Sequence, residues 1–179
     1  MNDVTAATTT LPARSVATSR APSFAETAER HLDDVYRYLL VLTRNPSLAE
    51  DLAAETFERA LRTWRRFDPL RSSPRTWLCT IARSTALDHY RAEKRRRNRE
   101  RAVSEEEGQT GPPELGLSPA LERALAALSA ADREIVALRI VLDLDSESAA
   151  RMLGISASAC TTRLSRALKR LEELMSDDE

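Results

Sequence analysis

The chain has 179 residues and a formal net charge of −1 at pH 7, but its two halves carry opposite charge. Residues 24–101 hold 17 Lys and Arg against 12 Asp and Glu, a net of +5, whereas residues 102–179 hold 8 against 15, a net of −7. Gly is scarce and Ala, Leu, Arg and Glu dominate, which favours helices over sheets. The composition predicts an all-α protein of two small modules, of which the basic one is suited to meet phosphate.

Several classes of protein are excluded by the same reading. No apolar run approaches the roughly 18 residues that span a bilayer, and the first residues lack a signal-peptide pattern, so we expect a cytoplasmic protein without membrane insertion. Cys79 and Cys160 lie far apart in apolar helical patterns, which predicts buried thiols and leaves a redox or metal role as the alternative. We find no phosphate loop, catalytic triad or metal cluster, and the only histidines are His31 and His89. The expectation is therefore no enzyme, no catalytic residue, no cofactor and no metal.

Residues 1–23 are rich in Ala, Thr and Ser and have no apolar period, which predicts a disordered tail. From Phe24 to about Arg44 apolar residues recur at steps of three and four, as on one face of a helix. That face comprises Phe24, Ala28, Leu32, Val35, Leu39 and Leu42.

A second helix is predicted to begin at Asn45-Pro46, where a capping side chain precedes a proline. Its apolar side comprises Leu48, Leu52, Phe57, Leu61 and Trp64. Its outer side carries two acid-before-base pairs at four-residue spacing, Glu55/Arg59 and Glu58/Arg62. This outer face is either ordinary solvated surface or a docking ridge for a basic partner, and residue chemistry alone does not decide.

A short loop, residues 68–73, follows, and Ser73-Pro74 predicts the start of a third helix. This helix continues into a basic stretch, residues 91–101, with seven basic and two acidic residues. Together with Trp77, His89 and Tyr90, the stretch suits a surface that stacks bases and follows a single strand. The alternative for Trp77 is a place in the core.

Residues 102–118 combine three consecutive glutamates, three glycines and two prolines, and predict a flexible linker that spans at most about 55 to 60 Å. The second module covers residues 119–175 and begins after Ser118-Pro119, with further helices predicted near Ser129, over 146–153 and after Ser156. Residues 176–179 form an acidic tail.

Residues 146–156 and the helix that follows have helix-turn-helix spacing. Asp145 caps the short helix, Gly154 ends it, and Ala149 and Ala150 allow two helices to approach closely. The last helix directs Cys160, Leu164, Ala167, Leu168 and Leu171 inward and carries Arg163, Arg166, Lys169 and Arg170. It is predicted to lie in a DNA major groove, with a helical hairpin that bears a solvated basic face as the alternative.

Three segments in this order resemble the extracytoplasmic-function, or group IV, sigma factors of the sigma-70 superfamily. Residues 49–60 look like the polymerase-binding helix, residues 76–91 like the promoter-melting and minus-ten helix, and residues 124–129, 153–156 and 163–168 like the minus-thirty-five domain. The resemblance implies a two-domain helical fold, with region 2 over 24–101 and region 4 over 119–175. It also implies a factor that binds core RNA polymerase, directs it to promoters and helps open the DNA.

The same resemblance assigns roles to individual residues. Contacts with the clamp helices of the polymerase largest subunit are assigned to Asp51, Glu55, Glu58, Arg59 and Arg62. Contacts with the minus-ten element are assigned to Asp68, Leu70, Arg71, Ser72, Ser73, Arg75, Trp77, Ser84, Asp88, Arg91 and Arg95. Contacts with the minus-thirty-five element are assigned to Ser158, Thr161, Thr162, Arg163, Arg166 and Lys169.

The implied partners are core RNA polymerase, through its clamp helices and flap, promoter DNA and an anti-sigma factor. Ala159 and Thr161 stand where the family commonly has threonine and a basic residue, which predicts a weaker minus-thirty-five readout. Two alternative functions are a polymerase-independent helix-turn-helix regulator and a helical adaptor that does not bind DNA.

Overall fold

The computed structural model describes residues 23–100 and 117–176, and within these ranges the regular structure is entirely helical. The predicted disordered tail (apart from Ser23), nearly all of the predicted linker and most of the acidic tail lie outside the described residues. The helices are α1 (Phe24–Thr43), α2 (Pro46–Thr63), α3 (Pro74–Glu100), α4 (Pro119–Ala127), α5 (Ala130–Val136), α6 (Ser146–Leu153) and α7 (Ala157–Ser176). A 3₁₀ turn, Trp64–Arg66, follows α2, and a π-helical turn, Ala137–Val141, follows α5.

The first module is a bundle of α1, α2 and α3, and local sequence sets each boundary. Ser23 and Glu26 form a reciprocal capping box at the start of α1. Asn45 caps α2 ahead of Pro46, and the Ser73 hydroxyl accepts a hydrogen bond from the Thr76 amide at the start of α3. These are the three starts that the sequence predicts.

The core of the first module is narrower than the apolar periodicity indicates. Val35, Tyr38, Leu39, Leu52 and Leu78 are buried. Leu32 and Leu61, predicted to face inward, are instead 52% and 58% exposed. Both lie at the margin of their helix stripes, on sides that no other described helix covers.

The second module packs α4, α5 and α6 around α7. Asp145 caps α6 by accepting a hydrogen bond from the Ser148 amide, and Gly154 ends α6 with a left-handed φ of 68°. Ala149 and Ala150 are buried where α6 meets α7, so the predicted close approach is confirmed. Leu168, predicted to point inward, is instead partly exposed, because it lies at the edge of the α7 stripe formed by Cys160, Leu164, Ala167 and Leu171.

The two modules pack directly against each other, which the sequence does not predict. The π-helical turn and α5 lie against α1. The hydroxyl of Tyr38 in α1 and the guanidinium of Arg83 in α3 both donate hydrogen bonds to Glu134 in α5. None of the described helices combines the length and apolar character that a bilayer crossing requires.

Candidate nucleic-acid interface

An exposed loop follows an aromatic cluster in the first module. The Trp64 ring stacks on Phe67 with centroids 5.0 Å apart, and Trp77 meets Trp64 edge-on at 5.7 Å. Phe24 closes the cluster with its centroid 5.5 Å from that of Trp64. All four rings are half-buried. Trp77 therefore packs in the aromatic cluster while part of its surface stays accessible.

Residues 68–73 leave the cluster in a hydrogen-bonded turn, in which the Arg71 amide donates to the Asp68 carbonyl at 3.1 Å. The Asp68 carboxylate accepts a hydrogen bond from the Leu70 amide at 2.9 Å, which fixes the turn. Leu70 is 95% exposed and projects into solvent. Arg71 and Ser73 are exposed beside it, Ser72 is half-buried, and Arg75 is drawn back by an ion pair with Asp34 at 3.2 Å. The loop thus presents polar groups and one apolar tip next to aromatic faces.

The outward side of α3 continues this surface. Ser84, Asp88, Arg91 and Arg95 are all exposed and recur along one side of the helix. Asp88 accepts a hydrogen bond from Arg59 at 3.0 Å and lies 3.5 Å from the Arg91 guanidinium. The structure therefore brings the minus-ten residues that the resemblance assigns to the loop and to α3 onto adjoining parts of one module.

The outer face of α2 adjoins that surface through Arg59. Asp51 and Glu58 are exposed and Glu55 is half-exposed. Arg59 pairs with Glu55 at 2.5 Å and with Asp88 on α3, and hydrogen bonds from Arg59 to Asp88 and then Glu55 raise the pKa of its guanidinium. Arg62 pairs with Glu58. The two predicted acid-base pairs are present, and one of them links the predicted docking face to the predicted DNA face.

The second module presents the start of α7 to solvent. Ser158, Thr161 and Thr162 are exposed in its first turns, with Arg166 and Lys169 exposed further along and Arg163 half-buried. Thr161 and Thr162 each donate a hydrogen bond to the carbonyl four residues earlier, so their hydroxyls also have a local partner. This is the exposed helix of a helix-turn-helix, and it gathers all six residues assigned to the minus-thirty-five element.

Both cysteines are fully buried, as the sequence predicts. Burial raises the pKa of the Cys79 thiol to about 12 and also raises the pKa of Cys160. Among the described residues no group of three or more potential protein ligands is arranged to hold a metal ion.

The sequence analysis missed the residues between the modules. Glu134, Tyr38 and Arg83 come together from α5, α1 and α3. The one available signal is Tyr38, a polar-tipped side chain that falls beside Leu39 on the apolar face of α1. A buried Tyr hydroxyl requires a partner, but nothing local identifies a glutamate 96 residues away.

Two family models match the chain, each over one module. Sigma-70 region 2 matches residues 27–96, and Sigma-70, region 4 matches residues 118–171. The first match covers the loop and most of α3, and the second covers α6 and most of α7.

Curated relatives extend the match across both modules. The chain is 31% identical to the ECF RNA polymerase sigma factor BldN of Streptomyces coelicolor. The alignment covers 88% of this chain and 62% of BldN, which is the longer protein. It is 32% identical to the RNA polymerase sigma factor YlaC of Bacillus subtilis, with 86% of this chain and 92% of the relative aligned.

A solved structure agrees with the sequence comparisons. The sigma factor RpoE of Bartonella quintana, in complex with the anti-sigma factor NepR, matches with a TM-score of 0.73 and 28% identity over 87% of this chain and 98% of that one. The predicted fold class and the resemblance to this family are confirmed. The chain belongs to the extracytoplasmic-function group of sigma-70 RNA polymerase sigma factors, which are regulatory subunits and not enzymes, and it directs promoter-specific transcription.

Proposed function

We propose that the chain divides promoter recognition between its two modules, with boundaries near residues 24–101 and 119–175. The first module docks on polymerase and captures the melted minus-ten strand, and the second reads the minus-thirty-five duplex. The observation that carries this proposal is the exposed loop at residues 68–73, which joins two members of a cluster of half-buried aromatic rings, Phe67 and Trp77, and continues into the polar side of α3. Aromatic faces accept any unstacked base, while arginines along the helix hold phosphates.

The outer face of α2 is proposed as the docking surface for the clamp helices. Asp51 and Glu58 are exposed there, and Glu55 is half-exposed. Acidic side chains on a rigid helix complement a basic partner and increase the rate of encounter.

The docking proposal is tested with the double variant Asp51→Lys/Glu55→Lys. We expect the variant to lose most of its binding to core polymerase in a co-purification assay, because two positive charges would then face the basic surface of the partner. The matched control is Glu29→Lys/Asp33→Lys, two exposed acids at the same four-residue spacing on α1. Equal losses in both double variants would contradict the assignment of the docking surface to α2.

Promoter reading is tested by transcription with purified core polymerase. The wild-type chain should support initiation at a subset of promoters, and replacement of Leu70 and Arg71 by alanine should abolish opening while duplex binding through α7 persists. Permanganate reactivity of unpaired thymines measures opening, and footprinting measures duplex protection. Opening that survives the loop change would contradict the role of residues 68–73.

We also propose that an anti-sigma factor controls the chain in the cytoplasm, where it acts with polymerase. The similar RpoE structure, a complex with such a partner, supports this. The test is a pull-down of the tagged chain with Asp51→Lys/Glu55→Lys beside the wild type. A regulator that competes with polymerase should be recovered in larger amounts with the double variant, which does not bind polymerase. Recovery of polymerase alone under every growth condition would contradict the proposal.

A further inference from the structure

Two arginines without an acidic partner lie close together at one end of α4. Arg44 ends α1 in a left-handed conformation with a φ of 54°, and Arg133 lies on α5. The Arg44 guanidinium donates a hydrogen bond to the Ala126 carbonyl at 3.4 Å, and the Arg133 guanidinium donates one to the Leu128 carbonyl at 3.0 Å. Because these two carbonyls are only two residues apart, both guanidiniums lie at the carboxyl end of α4.

Tyr90 on α3 completes a group of three donors, here called the Arg133 site: Arg44, Tyr90 and Arg133. Burial raises the pKa of Tyr90, and the positive charges of Arg133 and Arg44 oppose this, so the three side chains are within electrostatic range of one another. The Tyr90 hydroxyl lies 3.4 Å from the Leu42 carbonyl, which is long for a hydrogen bond from a hydroxyl. Tyr90 is 41% exposed, so the site is open to solvent on this side.

The positive charge of the Arg133 site is not balanced by an acid. No carboxylate of a described residue lies within ion-pair distance of Arg44 or Arg133, whereas Arg83 nearby on α3 pairs with Glu134. Burial and then the charge of Arg44 lower the pKa of Arg133. Arg133 Nε is also buried without a hydrogen-bond partner among the described residues. A buried donor without an acceptor is costly, and so are two like charges that are partly removed from water.

Helix dipoles offset only part of this charge. Arg44 lies at the carboxyl end of α1, and both guanidiniums lie at the carboxyl end of α4, where basic side chains are favourable. Each helix end is equivalent to about half a negative charge, so the two ends together oppose about one of the two positive charges. The remaining positive charge belongs to partly buried groups, which salt screens less than surface groups.

The donors that remain in the Arg133 site are suited to a phosphate group. A guanidinium has five N–H donors, and Arg44 and Arg133 each use one of them on a carbonyl. The others approach from the end of α1 and from α5, while the Tyr90 hydroxyl approaches from α3. Phosphate oxygens lie at the corners of a tetrahedron and accept from several directions at once, whereas the two carboxylate oxygens lie in one plane. Arginine forks are the donors that bind phosphate oxygens in pairs.

The Arg133 site is remote from the loop assigned to the minus-ten element. Phe24, the first residue of α1, contacts the aromatic cluster that precedes this loop. Arg44 lies at the other end of this 20-residue helix, about 30 Å away at 1.5 Å per residue. Arg133 is half-buried between helices. This position is more accessible to a small anion than to the backbone of a DNA duplex.

We propose that the Arg133 site binds a phosphate dianion from solution, either inorganic phosphate or the terminal phosphate of a small phosphorylated compound. Arg44 and Arg133 donate their remaining N–H groups to its oxygens, and the Tyr90 hydroxyl donates a further hydrogen bond. The anion supplies the negative charge that the described residues lack at this point. Neither polymerase nor promoter DNA takes part, so the site is independent of the proposed function.

Binding is measured by isothermal titration calorimetry of the full chain with inorganic phosphate at constant ionic strength. Arg44→Gln should weaken phosphate binding at least about tenfold, because it removes hydrogen bonds to a charged group. Tyr90→Phe preserves the ring and removes only the hydroxyl, and it should weaken binding about fivefold. The matched control is Arg37→Gln, which removes an exposed arginine of the same helix that pairs with Asp33, and its affinity should equal that of the wild type.

Thermal unfolding separates the loss of binding from the loss of folding. Phosphate stabilises proteins generally because it is excluded from their surfaces, and this effect is common to all the variants. Phosphate bound at the Arg133 site stabilises the folded state further. The increase in Tm between phosphate-free buffer and 10 mM phosphate, about 10 times the millimolar affinity expected of a small anion, should therefore be larger for the wild type and Arg37→Gln than for Arg44→Gln and Tyr90→Phe. Circular dichroism confirms helicity in each variant.

Three comparisons decide the outcome. Ribose 5-phosphate that binds more tightly than inorganic phosphate would identify a phosphorylated compound as the ligand, and weaker binding would identify phosphate itself. Succinate that binds as tightly as phosphate would assign the site to carboxylates and overturn the proposal. So would the same phosphate affinity in the wild type and Arg44→Gln, or no phosphate binding by the wild type below about 10 mM. If Arg44→Gln weakens binding to duplex DNA but not to phosphate, the site is a DNA contact and the proposal is also overturned.

Discussion

The two modules make their basic residues available in different ways. In the first module, whose net charge is +5, Arg59 and Arg91 contact Asp88, and Arg75 pairs with Asp34. In the second module, which is acidic overall, Arg166 and Lys169 are exposed and form no ion pair with any residue that the structure describes. Net charge therefore does not measure how many cations a module can offer to phosphate.

The difference separates two strategies for meeting DNA. In the first module, carboxylates hold Arg59, Arg75 and Arg91 before DNA binds, so a contact of one of these arginines with phosphate would replace an existing ion pair. The second module carries half of its cations on α7, where Arg166 and Lys169 are solvated and Arg170 pairs with Glu173. We expect the paired arginines of the first module to contribute more to the orientation of the protein on DNA. We expect the solvated cations of the second module to contribute more, per residue, to the salt-dependent part of the affinity.

The largest expected effect concerns whether the two modules have independent cores. Leu78→Ala and Leu138→Ala each remove a fully buried leucine, one from each module, and each should cost about 2–5 kcal/mol of unfolding free energy. For Leu78→Ala, hydrogen exchange should show reduced amide protection in α1, α2 and α3. Leu138 lies in the turn against α1, so its variant should also loosen α1. If Leu138→Ala reduces amide protection only in the second module, the contact of α5 and the π-helical turn with α1 does not couple the two cores.

The next effect tests whether the free cations of α7 read bases or only neutralise phosphate. Arg166→Ala should weaken minus-thirty-five binding by about 1–3 kcal/mol if the guanidinium contacts a guanine, with relaxed preference at one position. Lys169→Ala serves as the comparison and should weaken all sequences equally. Competition binding on a panel of single-base substitutions measures both. Equal losses on every sequence for Arg166→Ala would assign this residue to phosphate.

Much of this architecture is predictable because it depends on local chemistry. The caps at Asn45, Ser118 and Asp145, and the left-handed Gly154, follow from side chains within a few residues of each helix end. The junction at Glu134 does not, since it joins residues separated by 51 and 96 positions. Periodicity also assigns Leu32 and Leu61 to the core, although tertiary packing leaves them exposed. Sequence therefore predicts the helices and candidate surfaces better than their mutual arrangement.

A smaller effect concerns the start of the helix-turn-helix. Hydrogen bonds from the Ser148 backbone and hydroxyl lower the pKa of Asp145. Because the folded-state pKa lies below the unfolded value near 3.9, this stabilisation is present above about pH 4 and is lost as the pH falls through the folded value. Asp145→Ala should cost about 1 kcal/mol near pH 7 and nothing at low pH. Urea unfolding of both chains at pH 7 and pH 3 measures the difference, and an equal cost at both values would contradict this account.

The smallest expected change in stability comes from Asp88, although its effect on DNA should be informative. Asp88 is partly exposed, so Asp88→Asn should alter the unfolding free energy by less than about 1 kcal/mol. The change removes a negative charge from the proposed DNA side and releases Arg91 for phosphate. Affinity for non-specific DNA should therefore increase. The slope of log affinity against log salt concentration should steepen by the amount that corresponds to about one additional phosphate contact.

The control for Asp88→Asn is Glu58→Gln, which releases Arg62 on the outer face of α2. It removes one carboxylate and breaks one ion pair, but away from the proposed path of DNA, so its salt slope should match that of the wild type. If Asp88 instead accepts a hydrogen bond from a cytosine amino group, Asp88→Asn will change base preference and leave the salt slope unaltered. That result would mean that the first module, like the second, uses its exposed polar groups for base readout, and the contrast between the modules would lie only in how their arginines are held.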